Sequence, residues 1–367
     1  MVILHGKCGT INMKEFYNGK KVLVTGHTGF KGSWMSFLLH QMGAEVTGIA
    51  LAPATTPALF DILKLDKKID SRIVDIRDLE SMQKVFDEVN PEIVIHMAAQ
   101  PLVIDSYMNP VYTYDVNVMG TVNICECVRT HKSVKSFVNV TTDKVYLNKE
   151  WEYGYRENDR LNGYDPYSNS KSCSELVTDS YTNSFFNTLD LAVSRCRAGN
   201  VIGGGDFSEN RIVPDCVKYT INNEMIQVRN PNSTRPYQHV LEPVIFYLYI
   251  AMKQYNNKEL AGTYNIGPDE IDCVTTGDIV SLFCNTWKEN AHWVATDYNG
   301  PHEANFLKLD CSKAKSKLNW HPIWNVSKAI EKTVDWSKAY YANENIEEVM
   351  NKQIKEYMEE VVSWKKK

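Results

Sequence analysis

A tyrosine and a lysine four residues apart carry the first chemistry that the sequence offers. Tyr167 and Lys171 follow Pro166, a residue typical of the first turn of a helix, so both side chains are expected on one helical face. An ammonium beside a phenol favours the phenolate, which predicts a pKa for Tyr167 below its ordinary value of about 10. The pair could then remove the proton of a hydroxyl group. Taken alone, this spacing also occurs by chance on exposed helices.

A glycine-rich turn near the start of the chain favours the chemical interpretation of that pair. The turn has the spacing GxxGxxG, follows an apolar run at 21–25, and opens a predicted helix over 34–42. Bare backbone lets a pyrophosphate approach, and free N–H groups at a helix N-terminus favour its negative charge. Glycines also serve ordinary loops, but this placement between a strand and a helix predicts a dinucleotide site. Its residues are Gly26, Thr28, Gly29, Phe30, Lys31 and Gly32.

Other cofactor contacts are expected where the following strands end. The second strand runs into 48–52 without the acidic residue that usually binds the adenosine ribose, so the choice between NAD and NADP is weakly encoded. Asp75 and Ile76 follow the third strand and could border the adenine, although Asp75 could equally cap a helix starting near Leu79. The fourth strand ends in small residues that permit close approach to phosphates and ribose, followed by an amide: Ala98, Ala99 and Gln100.

Short apolar strands that alternate with helices must position these groups. The predicted strands lie at 21–25, 45–49, 72–74, 93–97, 136–140 and 189–194, with a further strand at 263–266. Their apolar character throughout is typical of strands covered by helices on both faces. The sequence therefore predicts the α/β class, with a Rossmann-like doubly wound parallel sheet whose ligands lie beyond the carboxyl ends of the strands.

A second, smaller region is expected after the first 195 residues, where the pattern loosens into a glycine-rich loop at 203–206 and several basic residues follow. We assign 1–12 to an N-terminal extension and 13–195 to the dinucleotide-binding domain, with 238–270 returning to it. Residues 196–237 and 271–350 form a smaller C-terminal α/β substrate-binding domain, and 351–367 a C-terminal helix or tail. Helical stretches are predicted after Thr276 and Val326.

Composition excludes several classes of function. The 367 residues are 43% hydrophobic and carry a net charge of -5. This composition lacks the excess of basic residues that is typical of proteins that bind nucleic acid or an anionic membrane. No apolar run of about 18 residues and no secretory leader is present, so we expect no membrane association and a cytoplasmic protein. The nine cysteines include no Cys-x-x-Cys pair. We therefore expect reduced thiols and no metal site.

Together the glycine turn and the Tyr-x-x-x-Lys pair resemble the extended short-chain dehydrogenase/reductase family, from about Met13 to near the end of the chain. Membership implies NAD as the cofactor. Six further segments resemble the sugar-nucleotide dehydratase branch of that family, in particular its CDP-glucose members: 26–32, 149–158, 164–171, 197–206, 235–243 and 308–315.

The resemblance also implies a reaction. In the family a hydroxyl residue at the end of the fifth strand completes the site, and Thr142 occupies that position. Two proton carriers follow it in the dehydratases, here Asp143 and Lys144, whereas epimerases usually have small residues there. They are needed because elimination of water removes a carbon-bound proton and protonates a poor leaving group. Many dTDP- and GDP-linked members carry Glu where Lys144 stands. A surface ion pair, worth under about 1 kcal/mol, is the alternative.

The implied substrate is CDP-D-glucose, converted to its 4-keto-6-deoxy form for bacterial surface polysaccharide. Tyr167 would take the proton of the C4 hydroxyl, Lys144 the C5 proton, and Asp143 would protonate the departing C6 hydroxyl. Asn200 matches a family substrate contact, and His239 lies in a matching segment. Arg211 and Arg235 could pair with the diphosphate, although each could also be a structural side chain. The base itself is implied by resemblance alone.

Alternatives remain at this point. A C4 epimerase or a dehydratase of another nucleotide-sugar would use the same fold, and an NAD-binding scaffold would need no chemistry. The resemblance further implies a homodimer that pairs the helix bearing Tyr167 with a predicted helix at 110–130. The apolar stripe of that second helix is equally compatible with packing on the sheet; it comprises Val111, Tyr114, Val118 and Val122.

Overall fold

The computed structural model describes residues 3–5, 10–289, 291–297, 300 and 304–364. The strands are β1 (Ile3–His5), β2 (Thr10–Asn12), β3 (Lys21–Thr25), β4 (Glu45–Ala50), β5 (Asp70–Ile73), β6 (Ile93–His96), β7 (Ser136–Thr142), β8 (Ala192–Ala198), β9 (Asn200–Ile202), β10 (Ile226–Val228), β11 (Thr234–His239), β12 (Thr263–Ile266), β13 (Cys273–Thr275) and β14 (Trp293–Ala295).

The α-helices are α1 (Met13–Tyr17), α2 (Phe30–Gln41), α3 (Leu59–Ile62), α4 (Leu79–Val89), α5 (Val103–Met108), α6 (Pro110–Tyr114), α7 (Gly120–Thr130), α8 (Pro166–Ser184), α9 (Ile212–Ile221), α10 (Leu241–Asn256), α11 (Thr276–Trp287), α12 (Ser312–Leu318), α13 (Val326–Tyr341) and α14 (Ile346–Trp364). A π-helical stretch, Asp115–Met119, joins α6 to α7.

The central sheet has seven strands in the order β12-β8-β7-β6-β3-β4-β5. All its neighbouring pairs are parallel. The chain adds strands on one side of β3 and then reverses to the other, so the switch point of the order lies between β3 and β6. The predicted Rossmann-like doubly wound sheet is confirmed. Ligand sites of such sheets lie at this reversal, which is where the glycine-rich turn begins.

Strand boundaries agree best where the apolar run is isolated by polar neighbours. The strands β3 and β12 begin and end as the pattern predicts. The observed bounds of β8 differ most from the prediction. This strand starts at Ala192 rather than at 189, because a 3-10 turn, Phe186–Thr188, first brings the chain to the sheet. The apolar residues after that turn predict a strand that starts three residues too early.

Two apolar cores cover the faces of the sheet. One includes α2 and the strongly apolar α10, whose side chains from Leu241 to Met252 are buried. The other includes α4 and α7, with α8 packed beside them against β7. Burial on both faces explains why strands such as β6 are apolar at nearly every position.

A third core lies outside the central sheet, among α9, α11 and α13. Beside it are a three-stranded sheet in the order β13-β11-β9 and a parallel pair formed by β10 and β14. The chain crosses from β8 into this region, returns with α10 and β12 to the central sheet, and then leaves again. The domain boundaries that we assign from the sequence stay a prediction.

Residues before Met13 contribute backbone structure. The strands β1 and β2 pair antiparallel as a hairpin, and β1 lies beside α14. Among the described helices, none combines the length and apolar character that a membrane crossing requires.

Candidate active site

Four of the five predicted catalytic residues, all except Lys171, line one cleft. β7 ends at Thr142, and a 3-10 turn, Asp143–Val145, carries the next two side chains away from the sheet. Tyr167 comes from the first turn of α8. These residues line a cleft of about 300 Å³ together with residues after β8, including Asn200 and Arg211.

Asp143 lies buried between Thr142 and Lys144. Its side chain is 1% exposed, and one carboxylate oxygen accepts a hydrogen bond from the Thr142 hydroxyl at 2.9 Å. Among the described residues, its other oxygen has no hydrogen-bond partner. Burial raises the pKa of Asp143 above its ordinary value, against the opposing charges of Lys144 and Arg235. A carboxyl held toward its protonated form in a cleft can donate a proton.

The helix that carries Tyr167 begins with a well-formed cap. The Asp165 side chain accepts from the Ser168 backbone N–H at 2.9 Å, and Pro166 takes the first helical position, where its missing N–H costs nothing. Tyr167 therefore has a fixed place opposite Thr142, and Lys171 follows one turn later on the same face.

The electrostatics of this pair differ from the sequence prediction. Burial raises the pKa of Tyr167 to about 12, with the negative charge of Asp143 adding to the effect. The Lys171 ammonium donates to the Val140 carbonyl at 3.0 Å, and burial together with the charge of Lys31 lowers its pKa to about 8. The structure therefore differs from the expectation of a lowered pKa for Tyr167, because desolvation of the phenol outweighs the hydrogen bond with Thr142 and the charge of Arg211, which lower the pKa.

A buried ion pair behind the cleft was missed. The Arg197 guanidinium donates to both carboxylate oxygens of Glu175 at 2.7 Å, and the Thr141 hydroxyl donates to Glu175 at 2.5 Å. Glu175 lies on α8 one turn beyond Lys171, and Arg197 lies on β8. The sequence contained a signal, since a charged residue inside each of two buried segments requires a partner.

The glycine-rich turn fits a dinucleotide. A Cβ on Gly26 would lie 2.8 Å from the Ala98 backbone nitrogen, and one on Gly32 would lie 1.9 Å from the Gly26 oxygen. Gly29 provides the N-cap of α2 without a side chain over the helix end. Bare backbone, a helix N-terminus and the cationic Lys31 beside the cleft together suit a pyrophosphate. Thr28 donates to the Leu51 carbonyl at 2.9 Å, which ties the turn to the end of β4.

Asp75 and Ile76, which follow β5, lie near the start of α7, and neither of them caps α4. Asp78, and not Asp75, caps α4 by accepting from the Ser81 N–H. Asp75 instead pairs with Arg77 at 2.7 Å. A Cβ on Gly120 would lie 2.4 Å from the Ile76 side chain, so Ile76 packs tightly on the start of α7. A contact of Asp75 or Ile76 with adenine stays a prediction.

The residues after β6 are tied to the catalytic helix. Ala98 donates its N–H to the Thr25 hydroxyl at 3.1 Å, and Ala99 follows it. Gln100 donates its backbone N–H to Asn117 at 2.8 Å, and the Asn117 amide donates to Ser170 of α8 at 2.9 Å. Asn117 lies in the π-helical stretch, a feature frequent at functional sites. Movement of this loop would therefore displace the catalytic helix through these hydrogen bonds.

Three of the four predicted substrate residues lie along the cleft. Asn200, Arg211 and Arg235 line the cleft. Arg211 pairs with Asp206 at 3.0 Å, and Arg235 donates to the Thr234 carbonyl at 2.9 Å and to the Ala304 carbonyl.

His239 is not brought to the cleft. Its ring is 0% exposed and lies between Trp34 and Trp324, with centroid distances of 6.1 and 4.9 Å. Burial lowers its pKa to about 3. The prediction that His239 contacts substrate is therefore corrected: at the end of β11 its ring fills a gap between two buried aromatic side chains.

The cleft also contains residues that no motif indicates. Asp215, Gln227, Arg229 and Asn230 line it, from α9 and from the end of β10. Among the described residues, no three His, Cys, Asp or Glu side chains gather as metal ligands.

The sequence matches known proteins over most of its length. A family model described as GDP-mannose 4,6 dehydratase matches residues 23–333. A CDP-glucose 4,6-dehydratase of Salmonella typhimurium is 46% identical over 351 residues, which cover 94% of this chain and 98% of the relative. A dTDP-D-glucose 4,6-dehydratase of Homo sapiens is 27% identical, covering 90% of this chain and 94% of the relative.

Solved structures show the same fold. An epimerase from Methanothermobacter thermautotrophicus superposes with a TM-score of 0.77 at 22% identity, covering 90% of this chain and 96% of that one. A dTDP-glucose 4,6-dehydratase from Bacillus anthracis in complex with NAD gives a TM-score of 0.71 at 20% identity, covering 90% and 100%. With the family match over most of its length, the chain belongs to the GDP-mannose 4,6 dehydratase family of sugar-nucleotide-modifying enzymes.

Proposed function

We propose that the protein removes water from CDP-D-glucose to form CDP-4-dehydro-6-deoxy-D-glucose, with NAD as its bound cofactor. The observation that carries this proposal is the buried Asp143, which lines the cleft between Thr142 and Lys144. An epimerase has no leaving group to protonate, so a carboxyl kept toward its protonated form would have no task there. The relative with the CDP-glucose activity shares 46% of its residues with this chain.

NAD would be held by the turn from Gly26 to Gly32, by the loop after β6, and by Lys171 beneath the cleft. When bound, it supplies a group that takes hydride from the sugar and returns it within the same turnover. The bare backbone at Gly26 and Gly32 supports this placement, because a side chain at either position would collide with neighbouring backbone.

The protein's own residues account for the proton movements. Tyr167, across from Thr142, accepts the proton of the C4 hydroxyl in its phenolate form as that carbon becomes a ketone. The hydrogen bond with Thr142 and the charge of Arg211 favour that form against the effect of burial. The ketone acidifies the neighbouring C5–H bond, and Lys144, as the neutral amine, accepts that proton and returns a proton to C5 when C6 is reduced. Asp143 donates its proton to the C6 hydroxyl, which leaves as water. The raised pKa of Asp143 supports its role as the acid.

The experiment compares four substrates. Purified protein is incubated separately with CDP-, dTDP-, UDP- and GDP-linked glucose, and product mass and the alkaline absorbance of a 4-keto-6-deoxy sugar are followed. Loss of one water from CDP-glucose alone is the expected result. Dehydration of another nucleotide-sugar instead would keep the mechanism and overturn the substrate. No dehydration of any of them would overturn the proposed function.

We also propose that the active form is a homodimer. The first half of the predicted stripe faces outward, since Val111 is 82% exposed and Tyr114 is 36% exposed, whereas Val118 and Val122 are partly buried. The adjacent α8 presents Leu176, which is 56% exposed. Two neighbouring helices that expose apolar side chains are suited to pair with a second copy. The cytoplasmic location stays a prediction.

A further inference from the structure

Tyr146 directly follows the short turn that carries Asp143 and Lys144. Its side chain is 1% exposed, so it lies in the protein interior behind the cleft wall. The turn, Asp143–Val145, is only three residues long and begins where β7 ends. Contacts that fix the residues on either side of so short a turn therefore also fix the directions of the two side chains that it presents.

The hydroxyl of Tyr146 has a partner on each of two strands. It accepts from the Arg197 guanidinium of β8 at 2.7 Å and donates to the side-chain oxygen of Asn265 on β12 at 2.6 Å. The Arg197 guanidinium also lies over the ring, 4.8 Å from its centroid. Both partners are buried, so water cannot replace either hydrogen bond if the hydroxyl is removed.

Asn265 is itself held by the segment that follows the turn and by the C-terminal part of the chain. Its amide donates to the Tyr155 carbonyl at 2.7 Å and to the Asp310 carbonyl at 3.1 Å. The ring of Tyr155 is stacked on that of Tyr146, with centroids 5.2 Å apart and planes inclined by 16°. Tyr146 is therefore fixed both at its hydroxyl and at its ring face.

The partner of Arg197 reaches the opposite end of the turn. Glu175, which accepts two hydrogen bonds from Arg197, also accepts from the hydroxyl of Thr141, two residues before the turn begins. Tyr146, one residue after the turn ends, binds the same guanidinium. One buried ion pair thus contacts both flanks of the turn, through Thr141 on one side and through Tyr146 on the other.

A further contact connects the turn to α8 and does not involve Tyr146. The Val145 carbonyl accepts from the Ser172 hydroxyl at 2.7 Å and from the Asn162 backbone N–H at 3.0 Å. Removal of the Tyr146 hydroxyl should therefore leave the turn attached to α8, while it loses its connection to β8 and β12. The expected result is a displaced turn in a folded protein.

The two steps of the reaction would respond differently to such a displacement. Oxidation at C4 uses Tyr167, which α8 carries, whereas elimination uses Asp143 and Lys144, which the turn carries. A misplacement of about 1 Å can lower a rate by as much as about 10². Displacement of the turn should therefore slow the elimination and spare the oxidation.

We propose that Tyr146 is a positioning residue for the elimination, whose hydroxyl holds the turn so that Asp143 and Lys144 reach C6 and C5 of the sugar. This inference rests on the proposed function, since it takes the roles of these two residues from it. A purely structural role for Tyr146 is the competing explanation, because a buried hydroxyl with two partners also stabilises the fold. That role would lower stability without changing the ratio of the two steps.

The test compares Tyr146→Phe with a matched control, Tyr264→Phe. Tyr264 lies on β12 beside Asn265, is 1% exposed, and donates its hydroxyl to the Leu260 carbonyl at 2.6 Å. The control therefore also loses a buried hydroxyl, and urea denaturation measures the stability of both variants. Two substrates separate the steps. CDP-glucose reports the whole dehydration by product mass. CDP-6-deoxyglucose has no C6 hydroxyl to lose, so it reports only the oxidation at C4, followed in a single turnover by the absorbance of the reduced cofactor.

Tyr146→Phe should affect the two substrates unequally. Its kcat for dehydration of CDP-glucose is expected to fall by about ten- to hundredfold, because the turn no longer presents the acid and the base correctly. Its KM for CDP-glucose and its rate of oxidation of CDP-6-deoxyglucose should equal those of the wild type. Tyr264→Phe should keep the wild-type rate with both substrates.

Two results would overturn the inference: an unchanged kcat in Tyr146→Phe, or equal losses with the two substrates, which would indicate a general disturbance of the site. If that variant does not fold, Asn265→Ser withdraws the acceptor from the Tyr146 hydroxyl. The same selective loss is then expected, and its absence would count against the proposal. The outcome is separable from the proposed function. A wild type that dehydrates CDP-glucose while Tyr146→Phe keeps its rate refutes only the inference, whereas absence of any dehydration by the wild type refutes the proposed function and the inference with it.

Discussion

The Glu175 carboxylate and the Arg197 guanidinium form a two-armed ion pair, with both N–O distances 2.7 Å, directly behind the strand that carries the catalytic residues. Both side chains are buried. Glu175 also accepts from Thr141, and Arg197 donates to the Tyr146 hydroxyl at 2.7 Å. The pair therefore joins α8, β7 and β8 immediately beneath the cleft, so that the positions of Tyr167 and Asp143 depend on it.

Glu175→Gln should destabilise the protein strongly, because it leaves the Arg197 charge buried without its counter-charge. A loss of about 3 to 5 kcal/mol in the free energy of unfolding is expected, measured by urea denaturation. The matched control is Asp179→Asn, which removes the partly exposed partner of Arg195 and should cost under about 1 kcal/mol. Equal losses in the two variants would contradict a special role for the buried pair.

Asp143→Asn should separate catalysis from folding. The amide has the shape of the carboxyl but cannot supply its proton, so kcat for dehydration is expected to fall by about 10² to 10⁴. The wild-type rate should decline as the pH rises through the raised pKa of Asp143, because only the protonated form donates. The residual activity of the variant should lack this decline. A variant with the wild-type rate and pH profile would remove Asp143 from the mechanism.

Lys144→Met should prevent removal of the C5 proton. Product formation is expected to fall by about 10² to 10⁴, while binding of NAD stays unchanged. The direct measurement is incorporation of solvent deuterium at C5, followed by mass spectrometry in D₂O. Lys149→Met is the control, since Lys149 is an exposed lysine on the segment after the catalytic turn. Undiminished deuterium incorporation in Lys144→Met would assign the base to another residue.

Local patterns in the sequence were sufficient for the sheet and for the catalytic helix. Isolated apolar runs predict β3 and β12, and Pro166 predicts the start of α8, because each feature depends on neighbouring residues alone. The pKa of Tyr167 could not be predicted in the same way. It depends on desolvation and on Asp143, which the fold brings from the turn after β7.

The same limit explains the error at His239 and the missed ion pair. His239 was assigned to substrate because its segment resembles the family, yet its ring packs between Trp34 and Trp324, which are distant in sequence. Glu175 and Arg197 stand 22 residues apart on different elements, and their charges identify them as partners only once both segments are known to be buried. Burial of a whole element is a tertiary property.

Carboxylates placed on the exposed apolar side chains of α6 and α8 should prevent dimer formation. The variant Val111→Glu/Leu176→Glu places two carboxylates on the exposed apolar surface of α6 and α8, and repulsion across a symmetric interface should yield monomers. Light scattering after size exclusion measures the mass. Ile271→Glu, at an equally exposed apolar side chain outside these helices, should leave the mass of the wild type unchanged. A monomeric wild type, or a charged variant that stays dimeric, would contradict the proposed interface.

Glu242→Gln should change how stability depends on pH. Glu242 is buried on α10, accepts from the Trp324 backbone N–H at 2.7 Å and from the Tyr357 hydroxyl at 2.8 Å, and so holds α14 to the core. Burial, with a contribution from the charge of Glu360, raises its pKa from 4.5 to about 7. Between those values the unfolded chain releases a proton that the folded protein keeps. Stability is therefore lost as the pH rises through this window.

The amide of Gln can accept from the same backbone groups and donate to Tyr357, but it has no proton to lose. The variant should therefore gain stability relative to the wild type as the pH rises from about 5 to 7.5, by on the order of 3 kcal/mol. Measuring the difference at each pH by urea denaturation cancels the opposite contributions of the buried histidines His27, His96 and His239, whose pKa values are lowered. A constant difference across that range would mean that Glu242 ionises at its ordinary pKa in the folded protein.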